Sequence, residues 1–277
     1  MTYTPVIPIG GFSGWAFLNR TRDTQQEAFD NSAKISRDVE YFTENIGKIR
    51  TAEDLVADRR LLEVALGAFG LDEDIGNKFY IRKVLEDGTL TDDALANRLS
   101  DKRYFNLSKA FGFGDFDTPR TVLSDFPQEI TDAYKTKQFE IAVGEQNPDM
   151  RLALGLDSAL SAIAERDTTD NGRWFTVMGQ GPVRSVFETA LGLPASVGAL
   201  DLDQQLVIFR ERAEAYFGDG EIAQFTDAAK REELVRRFLV LSDLQGGATS
   251  ATVGGSAALT LLQSAGGGVS GILATLA

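Results

Sequence analysis

Apolar residues recur along most of the chain three or four positions apart, which is helical spacing. The clearest run lies within residues 24–49, where successive apolar positions are separated by 4, 3, 4 and 3 residues: Ile35, Val39, Phe42, Ile46 and Ile49. This spacing places them on one narrow face, so the pattern predicts one long helix over 24–49. No run alternates in the way a half-buried strand would. The pattern therefore predicts an all-α fold, an irregular multi-helix bundle.

Several helix starts carry recognisable caps. Thr51 is followed three residues later by Asp54, which is close to a capping box. Pro127, Pro148 and Pro182 each stand where a first-turn proline opens a helix. These positions predict helices that begin near residues 51, 127, 148 and 182.

One helix-turn-helix pattern occurs twice. The first copy ends a helix with EVALG at 63–67 and continues to LDED at 71–74. The second copy ends a helix with ETALG at 188–192 and continues to LDLD at 200–203. A weaker echo, RLALGLD, occupies 151–157. We interpret these segments as a duplicated helical unit that is too divergent to form a regular solenoid.

These patterns divide the chain into three parts. Residues 1–23 form an uncharged N-terminal segment, apart from its last few positions, and residues 24–245 form the all-α domain. Within that domain, the repeat units cover about 51–113 and 172–245. Residues 246–277 form a C-terminal tail that is rich in Gly, Ala, Ser and Leu and carries no charge.

The distribution of charge is the least ordinary feature of the chain. The net charge is −13, yet residues 1–19 and 246–277 carry no charged side chain. An acidic chain has no general attraction to nucleic acid or anionic lipid, so neither is expected as a partner. No window of about 18 residues is continuously apolar, and no cationic segment precedes an apolar one near the N-terminus. Membrane insertion and a cleavable secretory signal are therefore not expected.

The composition also narrows the possible chemistry. The chain has no cysteine and no histidine, which excludes disulfides, thiolate metal sites and Ser-His triads. The acidic LDED segment does not fit a calcium loop: counted from Asp72, the required ligand positions hold Gly76 and Lys83. We therefore expect no catalytic residue, no cofactor and no metal. An enzyme that works through a pair of carboxylates stays as a lesser alternative.

Two Gly-x-Gly pairs could suggest phosphate loops. They are GFGDF at 112–116 and GQGP at 179–182, and neither follows a predicted strand. The sequence therefore favours glycines that end helices in the left-handed conformation.

The C-terminal tail contains large apolar residues despite its lack of charge. Disordered segments are normally charged and poorly hydrophobic, and this tail is the opposite. Two alternatives stay open, a tail that docks on its own domain or on a partner, and a tail that is mobile. The candidate interaction residues are Leu259, Leu261, Leu262, Ile272, Leu273 and Leu276.

Several blocks of sequence resemble domain-of-unknown-function family 1217. They begin with DVEYFTENIGKIRTAEDLVADRRLLEVALGAFGLDED, continue through NKFYIRKVLEDG, RYFNLSKAFGFG and QFEIAVGEQNPDMRLAL, and end with RWFTVMGQGPVRSVFETALGLP and LDLDQQL. The blocks occur in order and cover roughly residues 36–245. The resemblance implies an all-helical protein of an alphaproteobacterial family, whose genes often lie among flagellar genes. It implies no catalytic residues.

The resemblance gives the functional hypothesis. We expect a non-enzymatic structural or assembly component of the flagellum, exported without a cleavable signal, which contacts other flagellar or export proteins or copies of itself. Axial flagellar proteins bring both termini together, and both ends of this chain are uncharged. The alternative is a cytoplasmic adaptor or chaperone-like module for flagellar export or regulation, because an acidic surface suits a basic partner.

Overall fold

The structure is a computed structural model that describes residues 3–99 and 101–245, and all regular elements in these ranges are helical. Short 3-10 turns connect several of the helices. The α-helices are α1 (Gly11–Asp30), α2 (Ala33–Asn45), α3 (Ala52–Ala57), α4 (Arg59–Ala68), α5 (Lys78–Asp87), α6 (Leu95–Arg98), α7 (Lys102–Phe111), α8 (Phe126–Gly144), α9 (Pro148–Ala164), α10 (Asp170–Gly179), α11 (Gly181–Ala190), α12 (Leu202–Phe217) and α13 (228–245). The predicted all-α bundle is confirmed.

Two long helices, α8 and α9, form a hairpin at the centre of the bundle. Helices α2 and α4 pack against α8, and α5 joins this side through contacts with α3 and α7. Helices α10 and α11 and the 3-10 turn Ile222–Thr226 pack against α9. We call α2–α7 the first lobe and α10–α13 the second lobe. Each lobe buries its apolar side against one arm of the hairpin.

Aromatic side chains fill the centre of both lobes. In the second lobe, the buried Trp174 ring lies 5.4 Å from Phe187 and 5.8 Å from Phe209, both in edge-on geometry. Where the first lobe meets α8, Phe111 lies 5.0 Å from Phe126. Edge-on pairs align the positive ring edge with the negative ring face and add to the gain from burial. One continuous apolar core connects the two lobes.

The prediction of a single helix over 24–49 is wrong. The chain forms α1 and α2, which are separated at Asn31 and Ser32. Ser32 is extended at φ −67°, ψ 147° and occupies the N-cap position of α2, although its hydroxyl makes no cap hydrogen bond there. The predicted stripe nevertheless faces inward, because Ile35, Phe42 and Ile46 are buried and Val39 and Ile49 pack against the core.

The predicted helix start at Thr51 is confirmed. Thr51 accepts a hydrogen bond from the Asp54 backbone, and the Asp54 carboxylate accepts one from the Thr51 backbone, which completes a capping box. The helix is shorter than its pattern suggests, because Asp58 interrupts it. The Asp58 carboxylate accepts hydrogen bonds from the backbone N–H groups of Arg60 and Leu61 and thereby caps α4.

The two repeat units share their element order and the geometry of one turn. In each unit, a helix ends in a Schellman motif, followed by a 3-10 turn and another helix. The motif glycines are Gly70 and Gly192, with φ of 69° and 63°. Leu71 donates to the Leu66 carbonyl and Leu193 donates to the Glu188 carbonyl. The glycine of the first ALG triplet, Gly67, is therefore not equivalent to Gly192.

The prediction for the Gly-x-Gly pairs is correct for the first pair and wrong for the second. Gly112 is the left-handed C-cap of α7. Gly179 ends α10, however, and Gly181 begins α11 with only Gln180 between them. Gln180 has an extended backbone, and it is both the C-cap of α10 and the N-cap of α11.

An exposed aromatic ring and an acidic turn mark the start of the next helix. Phe79 in the first turn of α5 is 84% exposed. The acidic residues of LDED lie in the 3-10 turn Asp72–Gly76, before α5 begins at Lys78. There Asp74 accepts a hydrogen bond from Tyr104 and Asp72 accepts one from Gln138. The acidic segment thus joins α7 and α8 to the repeat turn.

Candidate functional site

The first described residues form an extended arm that folds back along α1. The side chain of Gln25, 5% exposed, binds the backbone of the arm with both of its polar atoms. Its Oε1 accepts a hydrogen bond from the Val6 N–H at 2.6 Å, and its Nε2 donates to the Val6 carbonyl at 3.2 Å. The Gln25 amide thus pairs with the backbone N–H and carbonyl of Val6, as a neighbouring strand would. We define residues 3–10 as the N-terminal arm.

A second amide holds the same arm from the opposite side. Gln146, in the turn between α8 and α9, donates its side-chain N–H to the Pro5 carbonyl. Pro5 itself is buried. The central hairpin therefore positions the arm as well as the lobes.

The end of the arm meets the end of α13. The Asp243 carboxylate lies against Gly10 and Gly11, so that a Cβ added at Gly11 would fall 1.8 Å from Asp243 Oδ2. Gly11 has φ +62°, a conformation that side chains disfavour. The first turn of α1 carries no acidic residue. Asp243 therefore supplies negative charge at the positive end of this helix.

Further contacts join the last part of α13 to α1 and to α9. The Arg236 guanidinium lies 4.6 Å from the centre of the Phe12 ring, in cation–π geometry. Ser242 donates a hydrogen bond to Asp149 in the first turn of α9. We define the terminal junction as the place where the arm and the start of α1 meet the start of α9 and the end of α13. Its residues are Gly10, Gly11, Asn147, Asp149, Ser242 and Asp243.

Exposed apolar side chains lie next to this junction. Ile9 is 56% exposed and precedes Gly10, and Leu244 is 64% exposed and follows Asp243. Val240 lies one turn before Leu244 on the same face of α13 and is 45% exposed. The side chain of Val6, whose backbone binds the Gln25 amide, is 52% exposed. The junction thus offers apolar surface suitable for a protein contact.

The candidate interaction residues from the sequence, Leu259, Leu261, Leu262, Ile272, Leu273 and Leu276, all lie outside the described residues. The sequence did not identify the terminal junction. One local signal for it was available, the Gly10–Gly11 pair immediately before an apolar helix. Asp243 is the only acidic residue after Glu233, but nothing in the sequence shows that its carboxylate contacts the start of α1.

Two open grooves lie elsewhere on the surface. The larger encloses about 510 Å³ beside α12 and is lined by Val207, Arg210, Glu211, Glu214 and the stretch from Gly218 to Glu221. Arg210 is engaged there, with Asn171 at 2.6 Å and Glu221 at 3.6 Å. The smaller encloses about 270 Å³ between α7 and α8. Within residues 3–99 and 101–245, no three acidic side chains converge as a metal site would require.

The described part of the chain also contains no helix that is both long and apolar enough to cross a membrane. Comparison with solved structures finds a crystal structure of an Agrobacterium tumefaciens protein from a structural genomics consortium. The two share 24% sequence identity with a TM-score of 0.71 over 87% of this chain and 99% of the other. This likeness supports the fold alone. No curated protein matches the chain.

A protein-family model matches residues 68–230, more than half of the chain. The matched range begins at the end of α4 and ends in α13, so it includes the central hairpin and both repeat turns. It confirms the resemblance found in the sequence. The chain therefore belongs to the family described as "Protein of unknown function (DUF1217)".

Proposed function

We propose that this protein is a non-enzymatic structural or assembly component associated with the bacterial flagellum, which acts through protein–protein contacts. The flagellar context comes from the gene neighbourhood that family membership implies. The observation that carries the proposal is the terminal junction. It brings the uncharged N-terminal arm to the helix from which the uncharged tail continues.

Joined ends suit an assembly protein for a physical reason. An uncharged arm that lies next to the start of an uncharged tail can enter a shared interface with it without the cost of burying charge. Apart from the buried Glu140, the acidic side chains of the domain whose burial the structure describes are at least partly exposed to water, where they limit unspecific association. Partners are other flagellar or export proteins, or further copies of this chain.

A deletion of residues 246–277 tests the proposal in the native bacterium. We expect the deletion to abolish assembly or swimming while the domain stays folded, because the apolar core lies within described residues that precede the tail. Circular dichroism of the purified variant checks the fold. Normal swimming in the deletion strain would contradict the proposal.

A matched variant distinguishes the effect of losing the apolar tail side chains from the effect of shortening the chain. It keeps all 277 residues and replaces the six candidate interaction residues with serine. If apolar contacts carry the function, this variant should swim as poorly as the deletion. If only tail length matters, it should swim normally.

The second candidate function is a cytoplasmic adaptor or chaperone-like module for flagellar export or regulation. The net charge of −13, concentrated in the domain, favours a basic partner for such a module. Cell fractionation distinguishes the two functions. The structural role predicts the protein in purified flagella, whereas the adaptor role predicts it in the cytosol only.

A further inference from the structure

We propose that the exposed apolar surface beside the terminal junction is the docking surface for the C-terminal tail of the same chain. The surface is defined by position: Ile9 adjoins Gly10, Leu244 adjoins Asp243, and Val6 and Val240 lie three and four residues before them on the arm and on α13. All four side chains are between 45% and 64% exposed in the described part of the chain. The proposal concerns the isolated protein and does not depend on a flagellar role.

The position of the tail supports this occupant. Residue 246 begins the tail, and Leu244, which belongs to the surface, lies two positions earlier on α13. Residues 246–258 separate the helix from the first tail leucine, Leu259, and 13 residues can span at most about 45 Å. The surface beside Leu244 is therefore within reach of Leu259.

The chemistry of the tail supports it too. No residue from 246 to 277 is charged, so the tail can leave water without stranding a charge. Its large apolar residues complement the four exposed side chains of the surface. The neighbouring charges of α13 are already engaged, Arg236 with Phe12 and Asp243 with the start of α1.

Covalent attachment favours the chain's own tail over the tail of a second copy. Two sites joined by a short stretch of one chain meet at an effective concentration on the order of millimolar. A second copy at micromolar concentration offers far fewer encounters. We therefore expect intramolecular docking in dilute protein.

The absence of native cysteine makes the test direct. Leu262→Cys places one thiol in the tail of the full chain, and its rate of reaction with a soluble disulfide reagent reports its accessibility. The reference is a synthetic peptide of residues 246–277 that carries the same substitution. We expect the thiol in the protein to react at least about fivefold more slowly, since only the opened state reacts. Equal rates would overturn the proposal.

Surface variants then locate the docking site. Adding Ile9→Ser and Leu244→Ser should raise the thiol rate to that of the peptide. The matched control adds Phe79→Ser, which removes an apolar side chain that is 84% exposed on α5, outside the surface. The control should leave the slow rate unchanged. A slow rate in the surface variant, or a fast rate in the control, would contradict docking at this surface.

Dilution identifies the occupant. If the tail docks on its own chain, the slow rate should be the same at all protein concentrations. Protection that disappears on dilution would overturn the proposal in favour of a second copy. Circular dichroism confirms that each variant is folded before its rate is compared.

Discussion

At the scale of single residues, the same three-residue sequence has different structural roles at two positions in this protein. Gly67 and Gly192 both close an Ala-Leu-Gly triplet at the end of a helix. Gly192 follows the C-cap Leu191 in the left-handed conformation, with open space around it. Gly67 is still helical and lies against the Tyr134 ring, where an added Cβ would come within 2.8 Å. The first glycine permits close packing, and the second permits a turn.

This difference predicts the effect of Gly67→Ala. The added methyl group must displace Tyr134, a 1% exposed ring whose hydroxyl donates to Asp38 at 3.1 Å. Overpacking of this kind costs about 1–3 kcal/mol, against a gain of about 1 kcal/mol in helix propensity. We expect Gly67→Ala to lower the free energy of unfolding by about 1 kcal/mol on balance, measured by urea denaturation.

A second glycine provides the control for this measurement. Gly76 has no atom within 4 Å of an added Cβ. Gly76→Ala should therefore change the free energy of unfolding by no more than about 0.5 kcal/mol. An equal loss in both variants would show that crowding at Tyr134 is not the cause.

At the scale of elements, side-chain caps mark the starts of several helices, including α3 and α4, and they act over two or three residues. The capping box at the start of α3 is an example, because it also affects a pKa. The Thr51 hydroxyl, together with the backbone N–H groups of Arg50 and Thr51, lowers the pKa of Asp54. These hydrogen bonds outweigh a smaller opposing effect of burial. They favour the ionised carboxylate in the folded protein.

The sign of this pKa shift fixes a pH dependence. A carboxyl group whose pKa is lower in the folded state stabilises the fold above its unfolded pKa and loses that effect as the pH falls through its folded pKa. The unfolded value is near 3.8. We therefore expect Asp54→Asn to be less stable than the parent at pH 5–7, with the difference shrinking below about pH 4.

The measurement is urea denaturation of both proteins across this pH range. Glu44→Gln, which neutralises an exposed carboxylate on α2, is the matched control and should not reproduce the pattern. A stability difference between Asp54→Asn and the parent that stays constant down to pH 3 would contradict a role for the charge.

At the scale of the whole molecule, one core joins the two lobes through the central hairpin. Buried residues from Trp15 to Leu239 belong to a single apolar cluster. Lobes that share one apolar core are expected to unfold together, whereas lobes with separate cores would unfold in separate steps. The two repeat units are therefore expected to lose their structure together.

The two tryptophans make this testable, because each reports a different region. Trp15 lies in α1 beside the terminal junction, and Trp174 lies at the centre of the second lobe. In Trp15→Phe and in Trp174→Phe, the remaining tryptophan should give the same urea midpoint by fluorescence as circular dichroism gives for that variant. Distinct midpoints within one variant would show that the lobes unfold independently.

The sequence by itself determined the all-α class, the family, the capping box at Thr51 and the uncharged ends. These features depend on composition or on residues within one helical turn of each other, so they can be recognised without a partner. The role of the six tail residues in protein contacts stays a prediction, because those residues lie outside the described part of the chain.

Only the tertiary structure decided the breaks at Ser32 and Asp58, the exposure of Phe79 and the meeting of Gly11 with Asp243. Leu55 and Leu62 keep helical spacing across Asp58, so periodicity alone cannot show that the Asp58 cap replaces another helical turn. The apolar stripe begins at Ile35, after the break at Ser32, so it carries no information on that break. The terminal junction joins residues more than two hundred positions apart. Such a contact depends on how α8 and α9 place the two chain ends, and no local pattern contains that information.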